Sequence, residues 1–289
     1  MVGDRRHGAI RIATYNLWNA RHTWFQRLEA AAEEIGRVGA DIVALQEVRA
    51  MVGPPDRRSA AAYIAHTTGY RHVVFEAYPD DPGEGLAFLS RLPITRAEAG
   101  WRSSEQPAER GLRLDVEVDG VPLAITNVHL DSSTVGILQR ERQITAIIEW
   151  IAGRRAWGGH EGHELLCGDF NVYPGSSIHT FLLGQASLLG HSTHWFDVAM
   201  YDAYRTGRPA PATLDFAHNP RWHSEHTVEI PARFDWILLR DCYPAPYPYV
   251  DRVELFGTEP TPRAQVVPSD HYGVFADIRL SSAVTNAAS

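Results

Sequence analysis

Residues 268–271 read Pro268-Ser269-Asp270-His271, which places a titratable imidazole directly after a carboxylate. Such a pair is a candidate for acid–base chemistry on a phosphate ester. Four other segments also carry polar residues at the end of an apolar run: Tyr15-Asn16-Leu17, Leu45-Gln46-Glu47-Val48, Asn127-Val128-His129 and Gly168-Asp169-Phe170-Asn171. Together, the five segments predict one metal site that is assembled from the ends of strands.

Apolar periodicity around these segments predicts strands that alternate with helices. Residues 112–118 alternate between apolar and polar, Asp119-Gly120 forms a two-residue hairpin turn, and the alternation resumes at Val121. Continuing this period places Asn127 and His129 on one face of the second strand. Further strands are predicted at residues 9–17, 41–48, 71–76, 85–90, 94–101, 164–169, 233–239 and 272–280, and helices at 24–38, 59–67, 136–154 and 176–183.

The order of these elements indicates α/β layers with mixed sheets. Hydrophobic residues make up 44% of the chain, which is enough for an ordinary globular core. Neither a repeat nor a low-complexity linker divides the sequence. We therefore expect one domain over residues 9–281, between a disordered tail at residues 1–8 and a C-terminal tail at residues 282–289.

The charged residues exclude some kinds of chemistry. All 27 basic residues are arginine, so the lysines of P-loops and of Schiff-base enzymes are absent. The formal charge is 27 − 35 = −8, and an acidic chain is poorly suited to tight, non-specific binding of duplex nucleic acid. A nuclease is therefore less favoured, although a local arginine patch would keep that alternative open.

The cysteines and the N-terminus indicate the compartment. Cys167 and Cys242 do not make a disulfide framework, so we expect both to be reduced. Residues 1–10 contain no apolar signal core, and no apolar run approaches the length of a transmembrane segment. These features predict a cytoplasmic protein, and we expect it to be a monomer.

Strand-end residues have both functional and ordinary interpretations. Glu47 ends a very apolar run, where a carboxylate must be solvated, paired or bound to a cation. Taken alone, Glu47 is better explained as a strand-end glutamate that faces water, and Asn16 as a turn or capping residue. Asp169 and Asn171 point to one face if the strand continues through both, with Phe170 turned into the core. The alternative for this pair is an Asx turn.

Asp235 lies inside the apolar run at residues 234–239, where an aspartate needs a partner or its pKa rises. His271 is a suitable partner, because a carboxylate fixes the tautomer of an imidazole and raises its basicity. His129 follows an apolar strand. Each histidine, taken alone, could instead be a hydrogen-bonded structural residue.

Seven segments in a fixed order carry a resemblance to a known family. They are TYNLW (14–18), LQEVR (45–49), GLAFLSRLPI (85–94), TNVHLD (126–131), CGDFNVYP (167–174), RFDWILL (233–239) and SDHYGV (269–274). In these segments the chain resembles the endonuclease/exonuclease/phosphatase superfamily, which includes pancreatic-type deoxyribonucleases, over nearly its whole length. Any one segment is weak evidence, whereas all seven in order are specific.

This resemblance implies a four-layer α/β sandwich, in which two face-to-face mixed β-sheets are flanked by helices. It also implies a divalent cation, usually Mg²⁺, with Mn²⁺ as the alternative. Glu47 is then the main metal ligand, with Asn16 and Asp270 beside it, and such oxygen ligands suit these ions. Trp18 departs from the aspartate that some apurinic-site endonucleases carry at this position.

The resemblance further implies a Mg²⁺-dependent phosphoric ester hydrolase, in which water attacks in line. Five residues match its catalytic positions. Asp235 and His271 match its Asp–His pair, His129 and Asn171 match its phosphate-contacting residues, and Asp169 is close to the attacking water.

Substrate choice is expected to lie in the connecting loops, which include residues 190–231. Arg49 and Arg91 are predicted to reach a substrate phosphate. Glu84 is predicted to orient His129, with an exposed loop acid as the alternative. A small or lipid-linked phosphate ester is the favoured substrate, and nucleic acid is the alternative. A non-catalytic binding module on the same fold is a second alternative.

Overall fold

A computed structural model of the 289-residue chain describes residues 8–53, 58–103, 109–158, 162–222, 228–243 and 246–281. The tail predicted at residues 1–8 therefore lies outside the described residues except for Gly8, and the tail predicted at residues 282–289 lies wholly outside them. The strands are β1 (Ala9–Asn16), β2 (Ile42–Arg49), β3 (His72–Ala77), β4 (Glu84–Ser90), β5 (Ile94–Ala99), β6 (Gly111–Val118), β7 (Val121–His129), β8 (His163–Asp169), β9 (Trp195–Asp197), β10 (Asp235–Arg240), β11 (Tyr249–Phe256) and β12 (Gly273–Arg279). The helices are α1 (Trp24–Val38), α2 (Ala60–Thr68), α3 (Ile137–Gly158), α4 (Ser177–Leu182) and α5 (Val198–Thr206).

The strands form two six-stranded mixed sheets. Sheet 1 has the order β11-β12-β1-β2-β4-β3, and sheet 2 has the order β5-β6-β7-β8-β10-β9. The pairs β1–β2 and β7–β8 are parallel, and the other described pairs are antiparallel. The chain leaves sheet 1 after β4, builds sheet 2, and returns to sheet 1 with β11 and β12.

Three apolar clusters hold the layers together. The first lies between the sheets and includes Ile12, Phe88 and Ile125. The second packs α1 and α2 on the outer face of sheet 1, and the third packs α3 and α4 on the outer face of sheet 2. The helix α1 can pack in this way because Leu28, Ala31 and Ile35 share one face. The four-layer α/β sandwich is thus confirmed.

A buried polar bridge crosses the interface between the sheets. Asn127, on β7 of sheet 2, donates its Nδ2 protons to the carbonyl oxygens of Leu45 (2.9 Å) and Ala87 (3.1 Å) in sheet 1. Its Oδ1 accepts a hydrogen bond of 2.6 Å from Gln46 Nε2. Because a buried amide that is fully hydrogen-bonded fits only one arrangement of its neighbours, this bridge fixes how the two sheets align.

Most predicted elements are present within a few residues of their expected bounds. The segment at residues 190–231, which was predicted to be a loop, contains β9 and α5, and β11 was not predicted. None of the helices in the described ranges is both long and apolar enough to cross a membrane.

Candidate active site

The candidate site lies at one edge of both sheets, where strands from distant parts of the chain end. Asn16 ends β1, Glu47 lies near the end of β2, and His129 and Asp169 end β7 and β8. Because β1–β2 and β7–β8 are parallel pairs, these ends meet at the same edge.

Two antiparallel strands bring the remaining residues to this edge. Asp235 starts β10 opposite Asp169. Asp270 and His271 directly precede β12, which runs antiparallel to β1. These strand-end residues therefore converge because of the topology, although they are distant in sequence.

Glu47 occupies an irregular position in β2, where the pairing with β4 shifts register. Its φ angle is 52°, in the left-handed region. Its Oε1 accepts from Asn16 Nδ2 at 3.0 Å, and its Oε2 accepts from the Asn19 backbone N–H at 2.9 Å. Burial opposes ionisation, but His129 and these two hydrogen bonds lower the pKa of Glu47. The site thus favours the ionised form of this half-buried carboxylate.

Asn16 links the carboxylates of the two sheets. Its Nδ2 donates to Glu47 in sheet 1 and also to Asp169 Oδ2 in sheet 2, at 3.0 Å in both cases. Its Oδ1 accepts from the Trp18 backbone N–H at 2.9 Å. In this arrangement Asn16 lies beside Glu47, as predicted, but it acts as a donor that orients two carboxylates.

His271 is held between two aspartates. Its Nδ1 lies 2.9 Å from Asp235 Oδ2, and its Nε2 lies 3.7 Å from Asp169 Oδ2. Burial disfavours the charged imidazole, but the charges of Asp235 and Asp169 outweigh burial and raise the pKa of His271 well above its usual value. The structure thus brings together the pair that the sequence suggested.

Asp169 and Asn171 form an Asx turn, which is the alternative that the sequence left open for this pair. The strand β8 ends at Asp169, and the Asn171 backbone N–H donates to Asp169 Oδ1 at 2.9 Å. Asn171 has a φ of 50°, and its Nδ2 donates to the Leu130 carbonyl at 2.9 Å. Phe170 is buried as expected and stacks on Trp236 at 4.4 Å.

His129 points one ring nitrogen into the site. Its Nε2 lies 3.9 Å from both Glu47 Oε1 and Asp169 Oδ2, and it is buried without a hydrogen-bond partner among the described residues. Its Nδ1 lies 3.2 Å from the hydroxyl of Tyr78. Polar atoms of two sheets thus surround Nε2.

Glu84 does not hydrogen-bond His129 within the described part of the chain, which corrects the prediction that it orients this ring. Instead, its Oε2 accepts from Asn19 Nδ2 at 3.0 Å. Burial and the nearby charge of Glu47 raise the pKa of Glu84. Asn19 and Tyr78 were both missed, because no sequence pattern marks a loop residue that contacts a distant strand.

Asp270 is fixed by a loop that packs against it. Ser269 Oγ donates its proton to the Asn16 carbonyl at 2.7 Å and lies 3.3 Å from Asp270 Oδ1. The carbonyl of Asp270 accepts from Trp222 Nε1 at 2.6 Å and from Asn219 Nδ2 at 3.1 Å. Burial raises the pKa of Asp270 to about 6, and the charge of Glu47 contributes to this rise while His271 opposes it.

Two groups of side chains could hold a cation. Ligand atoms of Asp169, Asp235 and His271 lie within 4.8 Å of one another. The other group consists of the half-buried carboxylate of Glu47 and the buried carboxylate of Asp270, whose mutual repulsion a cation would relieve. The second group offers only oxygen ligands, which suit hard divalent cations, whereas the first includes an imidazole, which is better suited to zinc. The residues present therefore fit a divalent cation.

The two arginines predicted to reach the substrate have different positions. Arg49 lies beside the site, where its Nε donates to Asn19 Oδ1 at 2.7 Å. Arg91 follows Ser90, which pairs with Ile42 at the opposite end of β2. Arg91 also donates to the Ala40 carbonyl. The structure therefore does not bring Arg91 to the site, because β4 runs antiparallel to β2 and carries Arg91 away from Glu47.

Solved structures with the same fold extend over nearly the whole chain. D. rerio TDP2, in a complex with a single strand DNA product, has 18% identity and a TM-score of 0.70, with coverage of 93% of this chain and 98% of that chain. A functionally unknown conserved protein from Enterococcus faecalis V583 has 21% identity and a TM-score of 0.68, covering 94% and 100%. The endonuclease/exonuclease/phosphatase from Bacteroides vulgatus has 18% identity and a TM-score of 0.67, covering 94% and 99%.

These low identities establish a shared fold alone, and no curated protein sequence matches the chain. The family model of the Endonuclease/Exonuclease/phosphatase family matches residues 13–271, a range that includes every residue described above at this edge. Members of this family act as hydrolases on phosphate esters. The chain belongs to the Endonuclease/Exonuclease/phosphatase family.

Proposed function

We propose that this protein hydrolyses phosphate esters in a reaction that depends on a divalent cation, with Mg²⁺ preferred and Mn²⁺ as the alternative. One observation carries the proposal. The carboxylates of Glu47 and Asp270 lie beside the Asp235–His271 pair at one sheet edge, where the buried Nε2 of His129 is also directed. This arrangement combines an oxygen-rich cation site with groups that can move a proton and donate hydrogen bonds.

Glu47 and Asp270 would hold the cation, and Asn16 would keep the Glu47 carboxylate in place through its hydrogen bond of 3.0 Å. When bound, Mg²⁺ would supply positive charge that stabilises the oxygens of the reacting phosphate. Asn19 supports the other carboxylate oxygen of Glu47. Each oxygen of this carboxylate accepts one such hydrogen bond and still has a lone pair for a ligand.

The protein's own groups would then activate water and stabilise the phosphoryl group. The proton of the attacking water passes to Asp169, whose Oδ2 lies 3.7 Å from His271 Nε2. The raised pKa keeps the His271 imidazole protonated, so it serves as a hydrogen-bond donor, and Asp235 holds it in place. His129 Nε2 and the second Nδ2 proton of Asn171 donate hydrogen bonds to charge that develops on the phosphoryl oxygens.

The proposal is tested with bis-p-nitrophenyl phosphate and Mg²⁺. Glu47→Gln and His271→Ala should each lower kcat by at least about 100-fold, because each removes a charged group that acts in the transition state. Circular dichroism should show that both variants remain folded. Glu117→Gln and His66→Ala alter exposed residues on β6 and α2 and serve as matched controls. Near-normal turnover by either site variant would contradict the proposal.

The favoured substrate is a small or lipid-linked phosphate ester, as the net charge of −8 suggests. Nucleic acid is the second candidate. Arginines pack on aromatic rings at the rim of the site: Arg49 lies over Trp24 and Arg110 over Tyr78, each at 3.9 Å. The D. rerio TDP2 structure with a similar fold holds a single strand DNA product. Arginine and aromatic side chains together suit single-stranded nucleic acid.

Rates on plasmid DNA, RNA, bis-p-nitrophenyl phosphate and p-nitrophenyl phosphate, each with Mg²⁺, separate these substrates. Strong nicking of plasmid DNA at ordinary salt would favour the nuclease. Absence of turnover on all four, together with no bound metal, would favour the non-catalytic module. The cytoplasmic location and the monomeric state stay predictions.

A further inference from the structure

We propose that Tyr78 is a positioning residue for His129. Its hydroxyl donates a hydrogen bond to His129 Nδ1 and thereby places the imidazole proton on Nε2, the nitrogen that faces the site. The inference rests on the proposed function in one respect, namely that His129 donates a hydrogen bond to the substrate phosphate. Tyr78 lies outside the seven segments that carry the family resemblance.

The contact joins two parts of the chain that meet at the site. Tyr78 follows β3, and its backbone N–H donates to the Glu84 carbonyl at 2.9 Å, which closes the loop between β3 and β4. His129 is the last residue of β7 in the other sheet. The hydroxyl of Tyr78 lies 3.2 Å from His129 Nδ1, and both side chains are buried. The contact therefore spans the two sheets.

The direction of this hydrogen bond follows from the protonation of the phenol. Burial raises the pKa of Tyr78 well above its usual value, although Arg110 opposes the rise, so the hydroxyl keeps its proton. Among the described residues, His129 Nδ1 is the only acceptor within hydrogen-bonding distance of this hydroxyl. A buried O–H without an acceptor costs about 1–3 kcal/mol. The hydroxyl therefore donates, and Nδ1 accepts.

An accepting Nδ1 determines the tautomer of the ring. A neutral imidazole has one nitrogen that accepts and one that carries hydrogen, so Nε2 carries the proton in His129. This Nε2 is buried, lacks a hydrogen-bond partner in the described chain, and lies 3.9 Å from oxygens of both Glu47 and Asp169. It is therefore an unused donor directed at the place where a phosphate would bind.

Arg110 holds both members of the pair in position. Its guanidinium lies over the Tyr78 ring, 3.9 Å from the centroid, and Trp101 packs near the same ring at 5.6 Å. The carbonyl of Arg110 accepts from the His129 backbone N–H at 3.2 Å. Because one residue contacts the ring of Tyr78 and the backbone of His129, neither can shift without disturbing the other.

The first test compares Tyr78→Phe with Tyr70→Phe in the Mg²⁺-dependent assay. Tyr70 is a matched control, since it is also a buried tyrosine, and its hydroxyl donates to the Ala40 carbonyl at 2.7 Å near the start of β2. Tyr78→Phe should lower kcat by about 10- to 100-fold, the usual effect of losing a group that orients a functional histidine. KM should change little, and Tyr70→Phe should leave kcat unchanged. Equal effects of the two substitutions would overturn the inference.

The second test does not depend on activity. The ¹⁵N chemical shifts of the His129 ring in the metal-free protein distinguish a protonated Nε2 from a protonated Nδ1. The wild-type ring should be protonated at Nε2, and Tyr78→Phe should increase the Nδ1-protonated form. A wild-type ring protonated at Nδ1 would contradict the inference whatever the assay gives.

His129→Ala separates this inference from the proposed function. If His129→Ala keeps full activity, the proposed role of His129 fails. If His129→Ala is inactive while Tyr78→Phe is fully active, the role of His129 stands and the positioning role of Tyr78 fails. In the His129→Ala background, Tyr78→Phe should cause no further loss, because both substitutions remove the same contact.

Discussion

Glu47 and Asn171 both have left-handed backbone conformations, with φ of 52° and 50°. For residues other than glycine, such conformations cost about 1–3 kcal/mol each and persist only where the surroundings impose them. At Glu47 a register shift in β2 imposes the left-handed conformation, and at Asn171 the Asx turn with Asp169 imposes it. The fold therefore gives up stability at two positions, to hold the Glu47 carboxylate beside Asn16 and Asn19 and to close the turn that follows Asp169.

Sequence reasoning found the residues that end apolar strands, because a polar side chain in such a position is conspicuous. It did not find Tyr78 or Asn19, whose importance arises only from contacts with His129 and Glu47 across the fold. Arg91 was wrongly predicted to reach the substrate. It directly follows β4, whose first residue Glu84 lies near the site, but the direction in which β4 runs could not be inferred from the residues.

Asp197 provides a test of buried charge away from the site. Its Oδ1 accepts from the backbone N–H groups of Ala199 and Met200 at the start of α5, and its Oδ2 accepts from Arg233 at 2.7 Å and contacts His179 at 3.1 Å. Burial opposes ionisation, but the hydrogen bonds from His179 and Arg233 outweigh it and lower the pKa of Asp197. Asp197→Asn should reduce the free energy of unfolding by about 3–5 kcal/mol at pH 7, because Arg233 loses its buried partner.

The sign of the pH dependence follows from the lowered pKa. An aspartate whose pKa is lower in the folded state contributes stability above its unfolded pKa of about 3.9 and loses it as the pH falls through the lower folded value. The difference in the free energy of unfolding between the wild type and Asp197→Asn should therefore shrink below about pH 4. Urea unfolding between pH 7 and pH 3 measures this, with Asp251→Asn, in an exposed pair with Arg279, as the control. A difference that stays constant with pH would count against this assignment.

At the scale of single elements, β8 depends on one glycine. Gly168 precedes Asp169 and has a φ of 136°. A Cβ at this position would lie only 2.0 Å from the carbonyl oxygen of Val128 on β7. The close approach of these parallel strands therefore requires glycine, and it sets the distance between His129 and Asp169.

Gly168→Ala should lower the free energy of unfolding by more than about 3 kcal/mol and abolish turnover, because relieving the clash separates β7 from β8. Gly120→Ala is the matched control. Gly120 also has a positive φ, of 84°, but a Cβ there meets nothing within 4 Å, so only the backbone cost of about 1 kcal/mol applies. Chemical denaturation of both variants measures the difference, and equal losses would show that steric contact with β7 is unimportant.

The elements that sequence reasoning missed have identifiable causes. The strand β11 pairs with β12 through a register shift between Val250 and Arg252, which breaks the alternation of apolar and polar residues. The helix α5 spans only nine residues, and of these Val198, Ala199 and Asp202 are buried, so its apolar stripe is short. A long periodic element such as α1 was predicted with both of its observed ends, since many positions contribute to the apolar pattern.

At the scale of the whole molecule, the site exists only while the two sheets keep their alignment. Glu47 and Asn16 belong to sheet 1, and Asp169 and His129 belong to sheet 2. The Asn127 bridge lies in the interface between them. Its three buried hydrogen bonds thus link the stability of the interface to the geometry of the site.

Asn127→Leu should reduce the free energy of unfolding by about 3 kcal/mol, since three buried hydrogen bonds are lost at about 1 kcal/mol each. Turnover should decline at a lower temperature than in the wild type, before global unfolding. Thr126→Val is the control, because the Thr126 hydroxyl is buried without a hydrogen-bond partner in the described chain and its removal should cost little. Activity and near-UV circular dichroism recorded against temperature would reveal the effect, and coincident curves for all three proteins would exclude it.

The return of the chain to sheet 1 has a consequence for protein synthesis. The strand β1 is among the first parts of the domain to leave the ribosome, yet in the sheet it lies between β2 and β12, and Thr14 pairs with Val274. Until residues 273–279 emerge, one edge of β1 has no partner, and unpaired edges invite association with other chains. A nascent chain stalled before residue 270 would therefore lack both Asp270 and His271 and expose an open strand, and we expect it to require a chaperone.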